Sequence, residues 1–224
     1  MHRVRSVVLL SGGLDSAANL ALCREYDEPV LAITVRYGQR AQDKEVQASQ
    51  NLCKHYDIKH QVLDLPWLGA LGGSSLTEVA MALPELEQNQ LDDRGITEKS
   101  AKSVWVPNRN GILINAAAAF AERLAAQRVV VGFNIEEAST FPDNSEEFLK
   151  RSTRSLEYST ANGVQVFSYS TSWNKTRIVQ ELRSLKEKFP FDLLWSCYLG
   201  GTKPCGHCES CQRQSRAIEG PTHG

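Results

Sequence analysis

The chain has no surplus of either charge: 25 Lys and Arg stand against 26 Asp and Glu, for a formal net charge of −1. Sequence-independent nucleic-acid binding rests on clustered cations that neutralise phosphates, so nucleic acid is not among the expected partners. Long apolar runs are missing too. The longest candidate, residues 112–124, is interrupted by Asn115, Glu122 and Arg123, and a membrane helix needs roughly 20 apolar residues. No membrane partner is expected. The opening Met-His-Arg-Val-Arg leads straight into a strand-like segment without a signal-peptide pattern, which makes the cytoplasm the expected location. There is no internal repeat and no low-complexity tract.

What is present is an ordinary globular composition, 42% hydrophobic and 23% charged over 224 residues. A chain of this length can bury roughly 70% of its unfolded surface around one core. Strand-like apolar runs at 5–10, 30–37, 59–65, 128–133 and 163–169 alternate with helical patterns at 15–26, 43–56, 111–126, 144–157 and 174–188. Such alternation implies βαβ units, hence an α/β fold with a doubly wound, mostly parallel sheet. Residues 66–103 break the rhythm: they are polar, acidic and without clear periodicity. A connection this long is functional or disordered, and both a mobile lid and a surface insertion fit it. The expected division is a main domain over 1–190 and a small C-terminal segment over 191–224 packed on it.

The most informative stretch is VVLLSGGLDSAANLAL, residues 7–22. A Gly-Gly turn between a strand and a helix lets a ligand approach the backbone closely. The helix that follows offers unpaired N–H groups and a partial positive charge, a combination suited to phosphate. The turn lacks the Gly-Lys-Ser/Thr of a Walker loop and the third glycine of dinucleotide folds. The Gly-Gly pair by itself favours a plain strand-helix turn with Asp15 and Ser16 as cap. The full string Ser-Gly-Gly-Leu-Asp-Ser, placed directly after the first strand, resembles the PP-loop of N-type ATP pyrophosphatases. That resemblance implies a Rossmann-like fold of the adenine nucleotide alpha hydrolase type and cleavage of ATP between its α and β phosphates. The nucleotide-binding segment would be Leu10, Ser11, Gly12, Gly13, Leu14, Asp15, Ser16, Ala17, Ala18, Asn19 and Leu20. In it Ser11, Gly12, Gly13 and Ser16 meet phosphates, and Asp15 supports Mg²⁺. Adenine would lie near residues 33–37.

Of six cysteines, Cys23 and Cys53 stand alone in helical patterns, and four crowd together as Cys197-x7-Cys205-x2-Cys208-x2-Cys211. Clustered cysteines in an intracellular chain point to a metal rather than a disulfide framework. A redox pair needs only two of them, and an iron–sulfur cluster is the remaining competitor. Four thiolates complete the closed tetrahedral shell of one structural Zn²⁺. His207, between two ligands, is expected to be a surface side chain.

Three further stretches fall at carboxyl ends of strands, where doubly wound sheets bind ligands. In VPNRNG, Arg109 can clamp a phosphate or carboxylate and Asn110 is expected to cap the next helix. In GFNIEEASTFPDNSEEF, Asp143 is either a helix cap or a partner for a donor-rich heterocycle, while Glu136 and Glu137 are either functional or simply solvated. In TSWNKTRIVQEL, Asn174 caps a helix and Lys175 is placed to reach a phosphate.

In order along the chain, the Ser-Gly-Gly-Leu-Asp-Ser loop, VPNRN, FPDNSEEF, WSCYLGGTKPCGHCESC and RQSRAI resemble the QueC family of 7-cyano-7-deazaguanine synthases. The resemblance implies ATP-dependent conversion of 7-carboxy-7-deazaguanine and ammonia to the 7-cyano base through adenylated acid and amide. It also implies Mg²⁺ with ATP, a structural zinc and a homodimer. Carried over to this chain, Asp15, Ser16, Arg109 and Lys175 would serve the chemistry, and Arg109, Asn110, Glu136 and Asp143 the substrate. Many bacterial members carry Pro-Gly-Arg-Asn where this chain has Pro107-Asn108-Arg109-Asn110, and Pro-Asp-Cys-Arg where it has Pro142-Asp143-Asn144-Ser145. Both departures keep Arg109 and Asp143. Alternatives are another adenylating PP-loop enzyme, acting on tRNA or on a different deazapurine, and a non-catalytic ATP-binding module.

Overall fold

The computed structural model describes residues 3–220. Among these residues five strands, β1 (Arg5–Leu9), β2 (Glu28–Arg36), β3 (His60–Asp64), β4 (Arg128–Val130) and β5 (Gln165–Phe167), form one sheet in the order β3-β2-β1-β4-β5. Every pairing is parallel. The helices are α1 (Leu14–Tyr26), α2 (Gln42–Tyr56), α3 (Pro66–Gly69), α4 (Arg94–Val104), α5 (Arg109–Arg123), α6 (Ile135–Ala138), α7 (Glu146–Ser159), α8 (Lys175–Ser184) and α9 (Glu209–Glu219). None is long and apolar enough to cross a membrane.

Side-chain alternation along the strands builds two cores. Val8, Ala32 and Val130 face α1, α2 and α8, whereas Val7, Leu31, Ile33, Val129 and Val131 face α5 and α7. Parallel strands covered on both faces read as unbroken apolar runs for this reason. Helix α1 is apolar nearly all round, with Leu14 and the eight consecutive residues from Ser16 to Cys23 buried and only Asp15 between them partly exposed, because the sheet lies on one side and α2 and α8 on the other. A fully buried leucine such as Leu20 contributes about 2 kcal/mol relative to exposure.

The expected elements are present, with ends shifted by a few residues. The segment 66–103 differs from the expected irregular loop. It contains α3, a 3₁₀ turn at Gln88–Gln90 and the three-turn helix α4, started by Asp93, whose carboxylate accepts from the Ile96 amide at 3.1 Å. Its buried positions, Thr97, Ser100, Ala101 and Val104, are small or polar, so the helical period is faint in a hydropathy reading. The segment is tied to the rest of the chain. The Ser75 amide donates to the Ser103 carbonyl at 2.9 Å, the Arg40 guanidinium donates to the carbonyls of Glu78 and Met81, and Arg216 pairs with Asp92 at 2.8 Å.

The strand order reverses between β1 and β4. Doubly wound sheets open a crevice at such a point, beyond the carboxyl ends of the strands. The loops after β1 and β4 meet there.

Candidate active site

The loop after β1 is shaped by two hydroxyls and one glycine. Ser16 Oγ accepts from the Ser11 amide at 3.1 Å, lies 3.0 Å from Ser11 Oγ and donates to the Gly13 carbonyl at 3.1 Å. Gly12 has φ +78, and a Cβ there would stand 2.7 Å from Ala48 Cβ of α2, so no larger residue fits the turn. Gly13 caps α1 without a side-chain hydrogen bond. Asp15 and Ser16 are therefore not its cap, and Asp15 is available for other work.

Asp15 meets a partner 160 residues away. Lys175, the first residue of α8 and only 7% exposed, donates to Asp15 Oδ2 and, at 2.9 Å, to Glu137 Oε1. Asn174 caps α8 by accepting from the Arg177 amide at 2.8 Å, as expected. The Lys175 amide donates to Glu136 Oε1 at 2.8 Å. Glu136 and Glu137 are thus held in ion pairs and are not simply solvated. Burial pushes the Asp15 carboxyl up to about 6; Lys175 pulls it down, and Glu137 adds to the rise. Glu137 goes the other way: burial raises it, but Lys175 and the nearby arginines outweigh that and hold it below the usual carboxylate range. Both carboxylates keep the Lys175 ammonium charged against its own burial.

One atom in this cluster has no partner. Asp15 Oδ1 is buried and accepts no hydrogen bond among the described residues. An orphaned carboxylate oxygen beside a phosphate-type loop suits a hard divalent cation, which takes oxygen ligands.

Around the cluster lies a cavity of about 290 Å³, near the low end for small-ligand sites. Leu10, Ser11, Gly13, Leu14, Asp15 and Ser16 line it, with Ile33, Thr34, Val35 and Tyr37 of the second strand and its end, the region expected to meet adenine. Ala17, Ala18 and Leu20 are instead fully buried in the core. Asn19, equally buried, accepts from the Tyr169 amide at 2.8 Å and donates to Ser170 Oγ at 2.7 Å, which fastens α1 to the segment after β5.

Arg109, Asn110, Glu136, Asp143 and Lys175 all reach this cavity. Arg109 donates to the Tyr37 hydroxyl at 3.3 Å and its guanidinium lies 6.0 Å from that ring. Burial opposes its charge, but Tyr37, Asp143 and Glu137 outweigh the cost and raise its pKa. Asn108 precedes it with φ +51, the left-handed region that Gly and Asn tolerate. This explains why either residue can stand in the Pro-x-Arg-Asn string. Asn110 does not cap the helix, because α5 already begins at Arg109; its amide donates to the Asp143 carbonyl at 3.4 Å. Nor is Asp143 a helix cap. It sits in a 3₁₀ turn, Pro142–Asn144, and Ser145 caps α7 by accepting from the Phe148 amide at 3.2 Å.

Several cavity residues have no signal in local sequence. Gly132 follows β4, and a Cβ there would stand 2.5 Å from the Ser16 amide nitrogen, so the two loops of the switch point touch backbone to backbone. Glu45 is a half-buried carboxyl, pushed up by desolvation, that accepts from Gln39 at 2.8 Å. Trp195 and Ser196 bring the C-terminal segment onto the phosphate-type loop: the Trp195 amide donates to the Gly12 carbonyl at 2.9 Å, and Ser196 Oγ accepts from Leu14 at 3.3 Å. Ser196 lies in the Trp-Ser-Cys-Tyr string, the one sequence clue to this contact.

Cys197, Cys205, Cys208 and Cys211 converge with all four Sγ atoms within 4.8 Å of one another. A tetrahedral Zn–S shell of 2.3 Å bonds needs sulfurs about 3.8 Å apart, and Cys205 and Cys211 stand at 3.9 Å. The four are arranged to hold a metal ion. His207 lies outside the shell, half exposed, with Nδ1 3.1 Å from Glu85. The cluster anchors α9, whose Arg213 reaches back toward the cavity, pairing with Glu209 at 2.8 Å and with Glu136 at 3.5 Å.

The model of the family described as queuosine biosynthesis protein QueC matches residues 5–221. The 7-cyano-7-deazaguanine synthase of Desulforamulus reducens is 49% identical over 215 residues, covering 96% of this chain and 93% of that protein. That of Bdellovibrio bacteriovorus is 50% identical over 213 residues, or 95% and 91% of the two chains. The archaeal 7-cyano-7-deazaguanine synthase of Methanosarcina mazei is 44% identical over 219 residues, or 96% and 94%. With likeness of this depth running from the first strand to the last helix, the chain belongs to the QueC family.

Proposed function

We propose that this protein is an ATP-dependent ligase that converts 7-carboxy-7-deazaguanine and ammonia to 7-cyano-7-deazaguanine, a queuosine and archaeosine precursor. The observation that carries the reading is the buried Asp15–Lys175–Glu137 cluster beneath the Ser-Gly-Gly loop, with Asp15 Oδ1 unpartnered, in a chain of this family.

A carboxylate resists attack by ammonia, so one of its oxygens must first become a leaving group. In the first step a substrate carboxylate oxygen bonds to the α-phosphorus of ATP, and the bond from that phosphorus to the bridging oxygen breaks to release pyrophosphate. The loop amides and the hydroxyls of Ser11 and Ser16 hold the phosphates. Lys175 and Arg109 offset the charge that develops on them, so that positioning and electrostatics do the catalytic work. Ammonia then adds to the acyl carbon, AMP departs and the lost proton leaves an amide. A second ATP adenylates the amide oxygen; loss of AMP and the two N–H protons gives the nitrile. One site serves both adenylations, and no side-chain nucleophile is needed.

Mg²⁺, bound with ATP, would supply Lewis-acid stabilisation of the leaving pyrophosphate, and Asp15 is the residue to hold it. Zn²⁺ on Cys197, Cys205, Cys208 and Cys211 would have a structural role, fastening a C-terminal segment, 191–224, to the catalytic domain, 1–190. The reading includes a cytoplasmic homodimer.

The test is product analysis with 7-carboxy-7-deazaguanine, ammonia, Mg²⁺ and ATP. The 7-cyano base should form with two AMP and two pyrophosphate per nitrile, and the amide should be visible by mass spectrometry at early times. ADP and phosphate as products would show that the loop has been misread. AMP with the amide as the final product would keep the loop assignment and sink the synthase.

A further inference from the structure

A deazapurine ring makes two demands on a protein. Its flat face gains most from an aromatic side chain, and its N1–H and 2-amino donors point the same way, matching the two oxygens of one carboxylate. Proteins that hold splayed-out guanine-like bases combine such stacking with hydrogen bonds to that edge.

Six aromatic side chains line the cavity, and four are committed elsewhere. Tyr37 lies under the Arg109 guanidinium. Trp195 lies under Lys44, with its Nε1 donating to the Cys197 carbonyl at 3.0 Å. Phe133 is buried against Phe148. Tyr198 follows Cys197 of the four-cysteine cluster directly in the chain.

Trp105 and Phe141 remain. Their rings are parallel to within 8°, with centroids 6.2 Å apart, although they come from separate elements. Trp105 directly follows α4, and Phe141 precedes the Pro142–Asn144 turn. Asp143 stands two residues beyond Phe141 and also lines the cavity. Burial pushes its carboxyl up and the Arg109 guanidinium draws it down, so it is an acceptor short of water whose main ionic neighbour is the arginine. An aromatic face, a carboxylate and a guanidinium therefore all line this one cavity.

We infer that Trp105 and Phe141 form the stacking platform for the deazapurine ring, and that Asp143 accepts from its N1–H and 2-amino edge. The inference rests on the proposed reaction and adds the residues that select the heterocycle. It also gives α4 a purpose: the helix that interrupts the α/β rhythm delivers one wall of the base site.

The test compares wild type with Trp105→Ala, Trp105→Phe and Asp143→Asn, measuring KM separately for the acid and for ATP. One base–aromatic stack is worth a factor of about ten or more in binding. Trp105→Ala should raise the acid KM at least about tenfold while the ATP KM stays within about twofold, and Trp105→Phe should recover most of the loss. Asp143→Asn should weaken 7-carboxy-7-deazaguanine by about tenfold or more, and an analogue lacking the 2-amino group by clearly less. An unchanged acid KM in Trp105→Ala, or equal rises for acid and ATP, would overturn the platform. Equal losses for both acids in Asp143→Asn would overturn the edge contact.

Binding without turnover separates this inference from the reaction it rests on. With 7-deazaguanine as probe, tryptophan fluorescence should be quenched in wild type and largely unquenched in Trp105→Phe. If wild type makes no nitrile, the proposed reaction fails, and this quenching difference alone decides whether the platform stands.

Discussion

Lys175→Met is the most informative single perturbation of the charged cluster. Methionine has a side chain of similar length, so the apolar stem stays packed and only the ammonium is removed. Asp15 and Glu137 then face each other without the cation that both contact. Breaking a buried pair by deleting one member costs about 3–5 kcal/mol, a large part of the ~5–15 kcal/mol that keeps a domain folded.

The loss should depend on pH, and its sign follows from the two carboxyls. Asp15 is raised in the folded state from 3.8 to about 6. Its contribution to stability is therefore fully present below pH 3.8 and is lost as pH rises through 6. Removing Lys175 takes away the main influence that lowers this carboxyl, so the loss grows and extends to higher pH. Glu137 is lowered in the wild type chiefly by Lys175 acting against burial. It contributes stability above its unfolded value, and the variant forfeits that contribution as well. Both effects make the variant's deficit larger at pH 8 than at pH 5.5, where protonation relieves the stranded charges. Urea unfolding of wild type and variant at the two pH values measures the difference. A deficit that is equal at both, or larger at pH 5.5, would refute the account of the cluster.

Gly132→Ala should lower activity by more than tenfold and stability by about 1–3 kcal/mol, because its Cβ would lie 2.5 Å from backbone that carries Ser16; activity and melting temperature within error of wild type would show that the two loops separate freely. Cys208→Ala should abolish metal binding and lower the melting temperature. Metal analysis should find close to one zinc per wild-type chain and almost none in the variant, whereas iron, or a metal-free wild type of undiminished stability, would refute the zinc assignment.

Local chemistry written in the sequence determined the strands, the turn and the metal cluster. Apolar runs such as VVVGF mark strands buried on both faces, and Gly12 marks a turn with no room for a Cβ. Four cysteines within fifteen residues can converge without help from the rest of the fold. The cap at Asn110 was misread, and of the two readings open for Asp143 the cap falls away, because side-chain type alone does not say where a helix starts; the backbone of α5 and Ser145 decided that. Helices α4 and α9 were hidden for a related reason. Their buried positions include Thr97, Ser100, Ala101, Glu209 and Ala217, small or charged residues that become interior only when another segment covers them, as when Ser100 donates to Glu209. The assembly of the site was decided by tertiary structure alone. Lys175 neutralises Asp15, Arg213 steadies Glu136 and Gly132 admits the Ser16 backbone. Each depends on residues far apart in the chain, brought to one crevice because the strand order reverses between β1 and β4.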